Sequence, residues 1–411
     1  MTGTYYTKAC YRILCDKTVK AIINDSFVCC KEQLCSLLNN NNVIAVHLTT
    51  DLWTARSRHV YLGVIATWLT SNFEFYEALL SCNHIPYPHS GETISAALFQ
   101  IINEWHLSNT AFTIATDNGS NMIKGVRLLG EKYLSQIKRQ PCAAHTLQLS
   151  VLQGLKQCKS IHRRVKCLQA FFRLPKQAQR LREAQQSNQQ LLEENDYSNP
   201  LDVLTDVKTR WNSTYYAWKR ILELHNSMRL ISTTLLTKPD RASQKEGEKL
   251  ERLCLSLDEK QFIQDMVNLL SPFEKVTCRF CGAKYVTLSL VNPYMELLKK
   301  TFAPKSENGE SLDTYLDLIY GPQTEDNNGN EEESDSSTSD DDEISSGGSQ
   351  QHWQYSHRTR GAIDDIDDIN RVEYLPAVNT TGLLQKVQAA IFLSLDELWS
   401  VPTELVQIAT W

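Results

Sequence analysis

No apolar run in the 411-residue chain approaches the roughly 18 residues that a membrane-crossing helix needs, so the sequence offers no helical membrane span. The N-terminus lacks a secretory leader, and the twelve cysteines lack regular spacing. They supply one C-x-x-C, Cys278 to Cys281, with no second pair at zinc-finger distance, and Cys29, Cys30 and Cys35 form no ligand pattern either. The expectation is free thiols in a reducing, intracellular setting, with no structural zinc. Positive charge is missing from one stretch. Glu325 to Glu343 holds ten acidic residues and no Lys or Arg, and taking those ten away from the net −6 leaves the rest of the chain at +4. A mildly basic body with an acidic tract is compatible with a nucleic-acid partner without demanding one.

Hydrophobic residues make up 42 % of the chain, enough for a large core shared by two or three domains. Residues 1–42 read as a helical lead-in, with Val19, Ile23, Phe27, Leu34 and Leu38 nearer period 3.6 than period 2. An α/β region, 43–155, follows. Val43-Ile44-Ala45-Val46 begins a strand expected to end near Asp51, and His59–Trp68 and Phe73–Leu80 extend it as an antiparallel meander. Ser90-Gly91 opens a helix whose apolar face is Ile94, Leu98, Ile101, Ile102 and Trp105. Ala111–Thr116 is a fourth strand, expected to pair parallel with the first through a crossover. Residues 156–320 read as all-helical, with Pro175, Pro272 and Pro293 as breaks and Gln185–Glu194 as a polar link. Residues 321–360, rich in Asp, Glu, Ser, Asn and Gly, are expected to be a disordered acidic linker. Residues 361–411 contain a last amphipathic helix from Leu383.

Two stretches share one form. Thr49-Thr50-Asp51-Leu52-Trp53-Thr54 and Ile114-Ala115-Thr116-Asp117-Asn118-Gly119-Ser120-Asn121 each set an aspartate at or near the end of an apolar strand. Strand ends and helix caps commonly select Asp for purely local reasons. The functional alternative is a two-metal phosphoryl-transfer site, in which carboxylates hold hard cations roughly 3.5–4 Å apart. A basic stretch, Lys156 to Arg182, carries nine Lys or Arg and no acid, among them Lys156, Arg163, Arg164 and Lys166. It reads equally as a phosphate-tracking surface and as a solvated helix face.

The order of four motifs is more specific than any of them alone: Thr49–Thr54, Thr116–Met122, Pro141-Cys142-Ala143-Ala144-His145-Thr146-Leu147 and Thr209-Arg210-Trp211-Asn212-Ser213-Thr214-Tyr215. Together they make the sequence resemble the hAT superfamily of DNA transposases, in its zinc-finger BED-type branch, over about residues 15–320 and more weakly over 380–411. The resemblance implies an α/β, RNase H-like core with a large all-helical insertion. It implies a nuclear, DNA-bound protein that uses Mg²⁺ or Mn²⁺ for DNA cleavage and strand transfer, and a homo-oligomer in the full-length form. By motif, Asp51 and Asp117 match the first two metal-binding carboxylates. Cys142 and His145 match an element near the site that acts on DNA, and Arg210 and Trp211 match the pair beside the cleaved end, where the aromatic supports an unpaired base. A buried helix-start anchor is an equally good reading of Trp211.

The resemblance has two gaps. About 40 residues precede the core where the family carries a BED finger, and the family's third carboxylate, a Glu beyond the insertion, has no counterpart in context at Glu373, Glu397 or Glu404. The expectation is a truncated transposase-derived chain that is catalytically incomplete. A domesticated, non-catalytic DNA- or chromatin-binding regulator and an RNase H-fold nuclease stand as alternatives.

Overall fold

The computed structural model describes residues 15–40, 42–43, 45–189, 199–207, 210–282, 285–305, 308–321, 376–400 and 406. The acidic tract, Thr209, Glu373 and Glu404 lie outside the described residues. The chain divides into two compact units: residues 1–147, 276–295 and 401–411, and residues 148–275 and 296–400. The architecture is an α/β, RNase H-like fold with a helical insertion.

The first unit is built on helix α1 (Asp16–Leu38) and strands β1 (Val46–Thr54), β2 (Val60–Leu69) and β3 (Phe75–His84), followed by helix α2 (Gly91–Glu104), strand β4 (Ala111–Thr116), helix α3 (Ser120–Lys132) and strand β5 (Lys138–Pro141). The sheet order is β3-β2-β1-β4-β5. The β1–β2 and β2–β3 pairs are antiparallel, whereas β1–β4 and β4–β5 are parallel. This is the meander plus crossover that the strand–helix–strand order predicts. One expectation needs correction: β1 does not stop near Asp51 but runs three residues past it to Thr54, because Leu52, Trp53 and Thr54 continue the ladder to Leu62, Tyr61 and Val60.

Period-2 alternation sets the faces of β1. Val46, Leu48 and Thr50 are buried, while His47, Thr49 and Asp51 are exposed. The buried face joins Leu62, Val64, Ala66 and Ile114 to Ile94, Leu98, Ile101 and Ile102 of α2 and Met122, Val126 and Leu129 of α3. Close helix packing needs a small residue here: a Cβ on Gly125 would meet Ile94 Cγ2 at 2.8 Å. Ser90 caps α2 by accepting the Thr93 N–H at 3.3 Å.

The second unit is helical. It takes most of α4 (Ala143–Gln157), then α5 (Lys159–Arg173), α6 (Pro175–Gln189), α7 (Trp211–Leu236), α8 (Arg241–Leu253) and the first part of α9 (Leu257–Phe280). The later part of α10 (Leu288–Phe302), α11 (Leu312–Tyr320) and α12 (Leu383–Leu398) complete it. Pro175 does separate two helices, sitting at the first position of α6, where its missing N–H costs nothing. Pro272 and Pro293 do not break their segments. Each lies inside a helix, α9 and α10, so packing outweighs the lost backbone bond. Gln185 is likewise not in a link: it is helical, and its amide donates to the Leu201 carbonyl at 2.9 Å.

Candidate functional site

Asp51 lies on the exposed face of β1, across from Gly63 of β2. Its Oδ1 accepts the Leu52 N–H at 3.0 Å, and Oδ2 accepts no hydrogen bond among the described residues. Asp117 follows the last residue of β4. Its Oδ1 accepts the Gly119 N–H at 3.1 Å, the Asx-turn that leads into α3. The parallel register pairs Thr49 with Ala115. Asp51 and Asp117 are each two residues further along: Asp51 is still in β1, on the face of His47 and Thr49, and Asp117 is in the turn just past β4.

A cation that the sequence reading passed over organises Asp117. Arg139 of β5 donates from Nη2 to the Asp117 carbonyl at 2.6 Å and to Asn118 Oδ1 at 2.8 Å, and from Nε to Thr116 Oγ1 at 2.8 Å. Burial lowers the Arg139 pKa, and the Asp117 carboxylate opposes that shift. Cys142 closes the same corner: its N–H donates to the Thr116 carbonyl at 2.7 Å, and its carbonyl accepts Thr146 Oγ1 at 3.0 Å. Burial pushes the Cys142 thiol up, the N–H groups of His145 and Ala144 pull it down, and Cys281 and the Asp51 carboxylate add to the rise. Cys142 holds the corner through its backbone N–H and carbonyl. His145 is half-buried in the first turn of α4, and its backbone N–H faces the Cys142 thiol.

The two aspartates supply hard oxygen donors of the kind that Mg²⁺ or Mn²⁺ takes, each with one oxygen open, so they fit such an ion. Among the described residues no group of three or more His, Cys, Asp or Glu is close enough to hold a metal. Glu397 is described and exposed, in the helical unit.

The basic stretch is much less free than its sequence suggests. Arg164, proposed for DNA backbone contact, is 3 % exposed. Its Nε pairs with Glu259 at 2.9 Å, Nη1 donates to the Arg252 carbonyl at 2.7 Å and Nη2 to the Pro376 carbonyl at 2.6 Å. Glu259 is fully buried and accepts N–H groups from Ser256 and Val378. Such a guanidinium is structural and cannot reach a phosphate. Lys176 and Arg180 pair with Glu246, and Arg182 with Asp202. Arg163 is exposed without an ion pair among the described residues, as is Lys159. Lys156 is hydrogen-bonded to Gln153; partial burial and the nearby Lys159 charge lower its pKa.

Asp206 is the residue the motif reading missed. Its side chain is 5 % exposed and binds His162 Nε2 at 3.0 Å, Lys166 Nζ at 3.5 Å, Ser213 Oγ at 2.9 Å and Thr214 Oγ1 at 2.8 Å. Burial would raise its pKa, but the hydrogen bonds from His162 and Thr214 and the charges of His162 and Lys166 win, holding the carboxyl well below its usual range. Lys166, another proposed DNA contact, is therefore partly spent on Asp206. The cluster fixes the start of α7, where Arg210 is the exposed N-cap residue. Trp211 is 1 % exposed, packed against Tyr215 and Phe273 at centroid distances of 6.3 and 6.5 Å. It is a core anchor, and its face is not offered to a base.

Residues 49–146 match the family model of the ZBED1 RNase-like domain, and residues 140–256 match that of the ZBED1 RNase-like helical domain. A putative transcriptional regulator, tpeD, from Talaromyces stipitatus is 22 % identical over 302 residues, covering 67 % of this chain and 34 % of that protein. The putative AC transposase of Zea mays is 22 % identical over 257 residues, 59 % of this chain and 29 % of its own length. Zinc finger BED domain-containing protein RICESLEEPER 2 of Oryza sativa is 25 % identical over 218 residues, 51 % of this chain and 29 % of that protein. The chain thus spans about a third of the length of these curated relatives. The two matched models join between residues 140 and 146, where the last strand of the sheet passes into the first insertion helix, and with the transposase and BED-protein relatives they make this chain a hAT-family, transposase-related protein.

Proposed function

We propose that the chain is a transposase-derived, DNA-binding protein that works in the nucleus and holds a divalent metal ion between Asp51 and Asp117. The observation that supports this reading is the β1–β4 register, in which Thr49 lies beside Ala115 and Asp51 and Asp117 each follow two residues further along. A bound Mg²⁺ or Mn²⁺ would supply charge stabilisation and water activation for phosphodiester chemistry. The chain's residues do the positioning. β1 presents Asp51 from regular structure, and the Gly119 amide together with Arg139 fixes the loop that bears Asp117. Arg210, Lys159 and Arg163 remain as exposed cations for the DNA backbone.

Phosphoryl transfer depends on fixed charge and fixed geometry, so a metal held by two carboxylates is expected to leave DNA cleavage near background. The test is Mn²⁺ titration followed by calorimetry, beside cleavage of a labelled duplex, for the chain and for Asp51→Asn and Asp117→Asn. Weak Mn²⁺ binding that both variants abolish supports the site. Binding that neither variant alters removes it. A second reading is a non-catalytic DNA-binding regulator, in line with the relative named as a putative transcriptional regulator. Robust cleavage that disappears in both variants would exclude that second reading.

A further inference from the structure

One row of rings crosses three strands at the end of the sheet that bears Asp51. Trp53 of β1 pairs in register with Tyr61 of β2, and Tyr61 with His84 of β3. The Trp53 and Tyr61 rings are 6.1 Å apart and inclined by 25°, a stacked pair. His84 meets Tyr61 edge-on at 5.9 Å, and His59 meets His84 edge-on at 5.2 Å. Trp53, at the β1 end of this row, is 41 % exposed, a large apolar surface to leave open. Gly63 makes this posture possible: a Cβ there would meet Trp53 Cζ3 at 2.9 Å, so only glycine lets the indole lie flat over β2. Trp53 is two residues from Asp51 and therefore shares its face.

The surroundings are cationic. The β1–β2 turn carries Arg56 and Arg58, both exposed and without an ion pair among the described residues, and then His59. No acidic residue occurs between Asp51 and Glu74, or between Glu77 and Glu92. Rings with open faces, next to arginines and without competing carboxylates, suit a single-stranded nucleic acid, whose bases stack while its phosphates are neutralised.

We infer that Trp53, Tyr61 and His84 form a stacking shelf for an unpaired nucleobase of a DNA strand, with Arg56 and Arg58 on its phosphates. The inference rests on the DNA-binding reading above and adds a strand-specific subsite to it. It also moves base stacking from Trp211, which is enclosed in the helical core, to Trp53, which is open.

The experiment measures fluorescence anisotropy of two labelled oligonucleotides at one fixed salt concentration: a blunt duplex, and the same duplex with a short unpaired tail on one strand. The chain is expected to prefer the tailed duplex. Trp53→Ala and Tyr61→Ala should each lower that preference by about 5- to 100-fold, the span of one base–aromatic stack. Trp53→Phe should keep most of it. Gly63→Ala retains the ring but displaces it, and should fall between. Near-native circular dichroism of Gly63→Ala and Trp53→Phe guards against a folding artefact. Failure to bind either duplex would remove the DNA reading and the shelf together. Binding without any tail preference, or a preference that Trp53→Ala and Tyr61→Ala leave intact, would remove the shelf alone. A change of sedimentation coefficient on Trp53→Ala without a change in tail preference would assign the rings to a contact between copies of the chain.

Discussion

The two units treat charge in opposite ways. In the helical unit, Asp206, Glu259, Arg164 and Lys166 are held in closed networks, and the sequence's most basic stretch emerges with several of its cations already paired. In the sheet unit, Asp51 and Asp117 each keep an open oxygen, and Arg56 and Arg58 stand without acidic partners among the described residues. The counts of charged residues differ little in kind; their availability differs completely. Charge density along a sequence measures the sum of structural and functional charge, and only three-dimensional pairing separates them.

The contrast can be broken most forcefully at Arg164. Its removal leaves Glu259 buried without a counter-ion, so Arg164→Met is expected to destabilise the helical unit by about 3–5 kcal/mol, against less than about 0.5 kcal/mol for Arg163→Ala next to it. Urea unfolding of the two variants checks this, and equal midpoints would refute the distinction. A loss of similar size, about 3–5 kcal/mol, is expected for Trp211→Ala as a core truncation.

Asp206→Asn comes next, at about 2–3 kcal/mol, because it weakens hydrogen bonds to a charged acceptor. The same group sets a pH dependence. Its folded-state pKa is depressed, so its stabilisation is fully present above the unfolded value of about 3.9 and is lost as pH falls through that value toward the folded one. Thermal melts between neutral pH and about pH 3 should show a steeper fall for the wild type than for Asp206→Asn.

The opposite behaviour is expected in the sheet unit. Asp51→Asn should abolish Mn²⁺ binding while shifting stability by no more than about 0.5 kcal/mol, since its exposed carboxylate accepts one local hydrogen bond. A large drop in melting temperature would make Asp51 a structural residue. The smallest effect is reserved for the exposed cations. Replacing Lys159, Arg163 and Arg210 by Ala should flatten the salt dependence of DNA affinity by about 1 in log–log slope for each residue that touches phosphate. An unchanged slope would return α5 to the status of a solvated face.

What could be read from the sequence follows from how local each signal is. The alternation in β1, the Ser90 cap and the Asn118-Gly119 turn are short-range patterns, and the structure contains all three elements. Pro272 and Pro293 misled because a proline's local cost was weighed without the packing of the helices that contain it. Arg164 falls on the same α5 face as Ile161, Val165 and Leu168, so its burial was legible from period 3.6; its partner Glu259, 95 positions away, was not. Arg139 and Asp206 were missed for the same reason. Neither belongs to a run or a repeat, and each matters only through atoms supplied by other elements.

The register of β1 has one further consequence, and it concerns time. β4 accompanies β1 only from Val46 to Thr49, while β2 accompanies it to Thr54. β1 is thus an interior strand for its first half and an edge for its second, with the change just before Asp51. Amide deuteration should enter from the Thr54 end and slow abruptly at Thr49, so that Asp51 sits where a rigid lattice gives way to a margin that can breathe. A ligand that bridged Asp51 and Asp117 would stitch that margin shut, and its arrival would be visible as protection spreading from Thr49 toward Trp53.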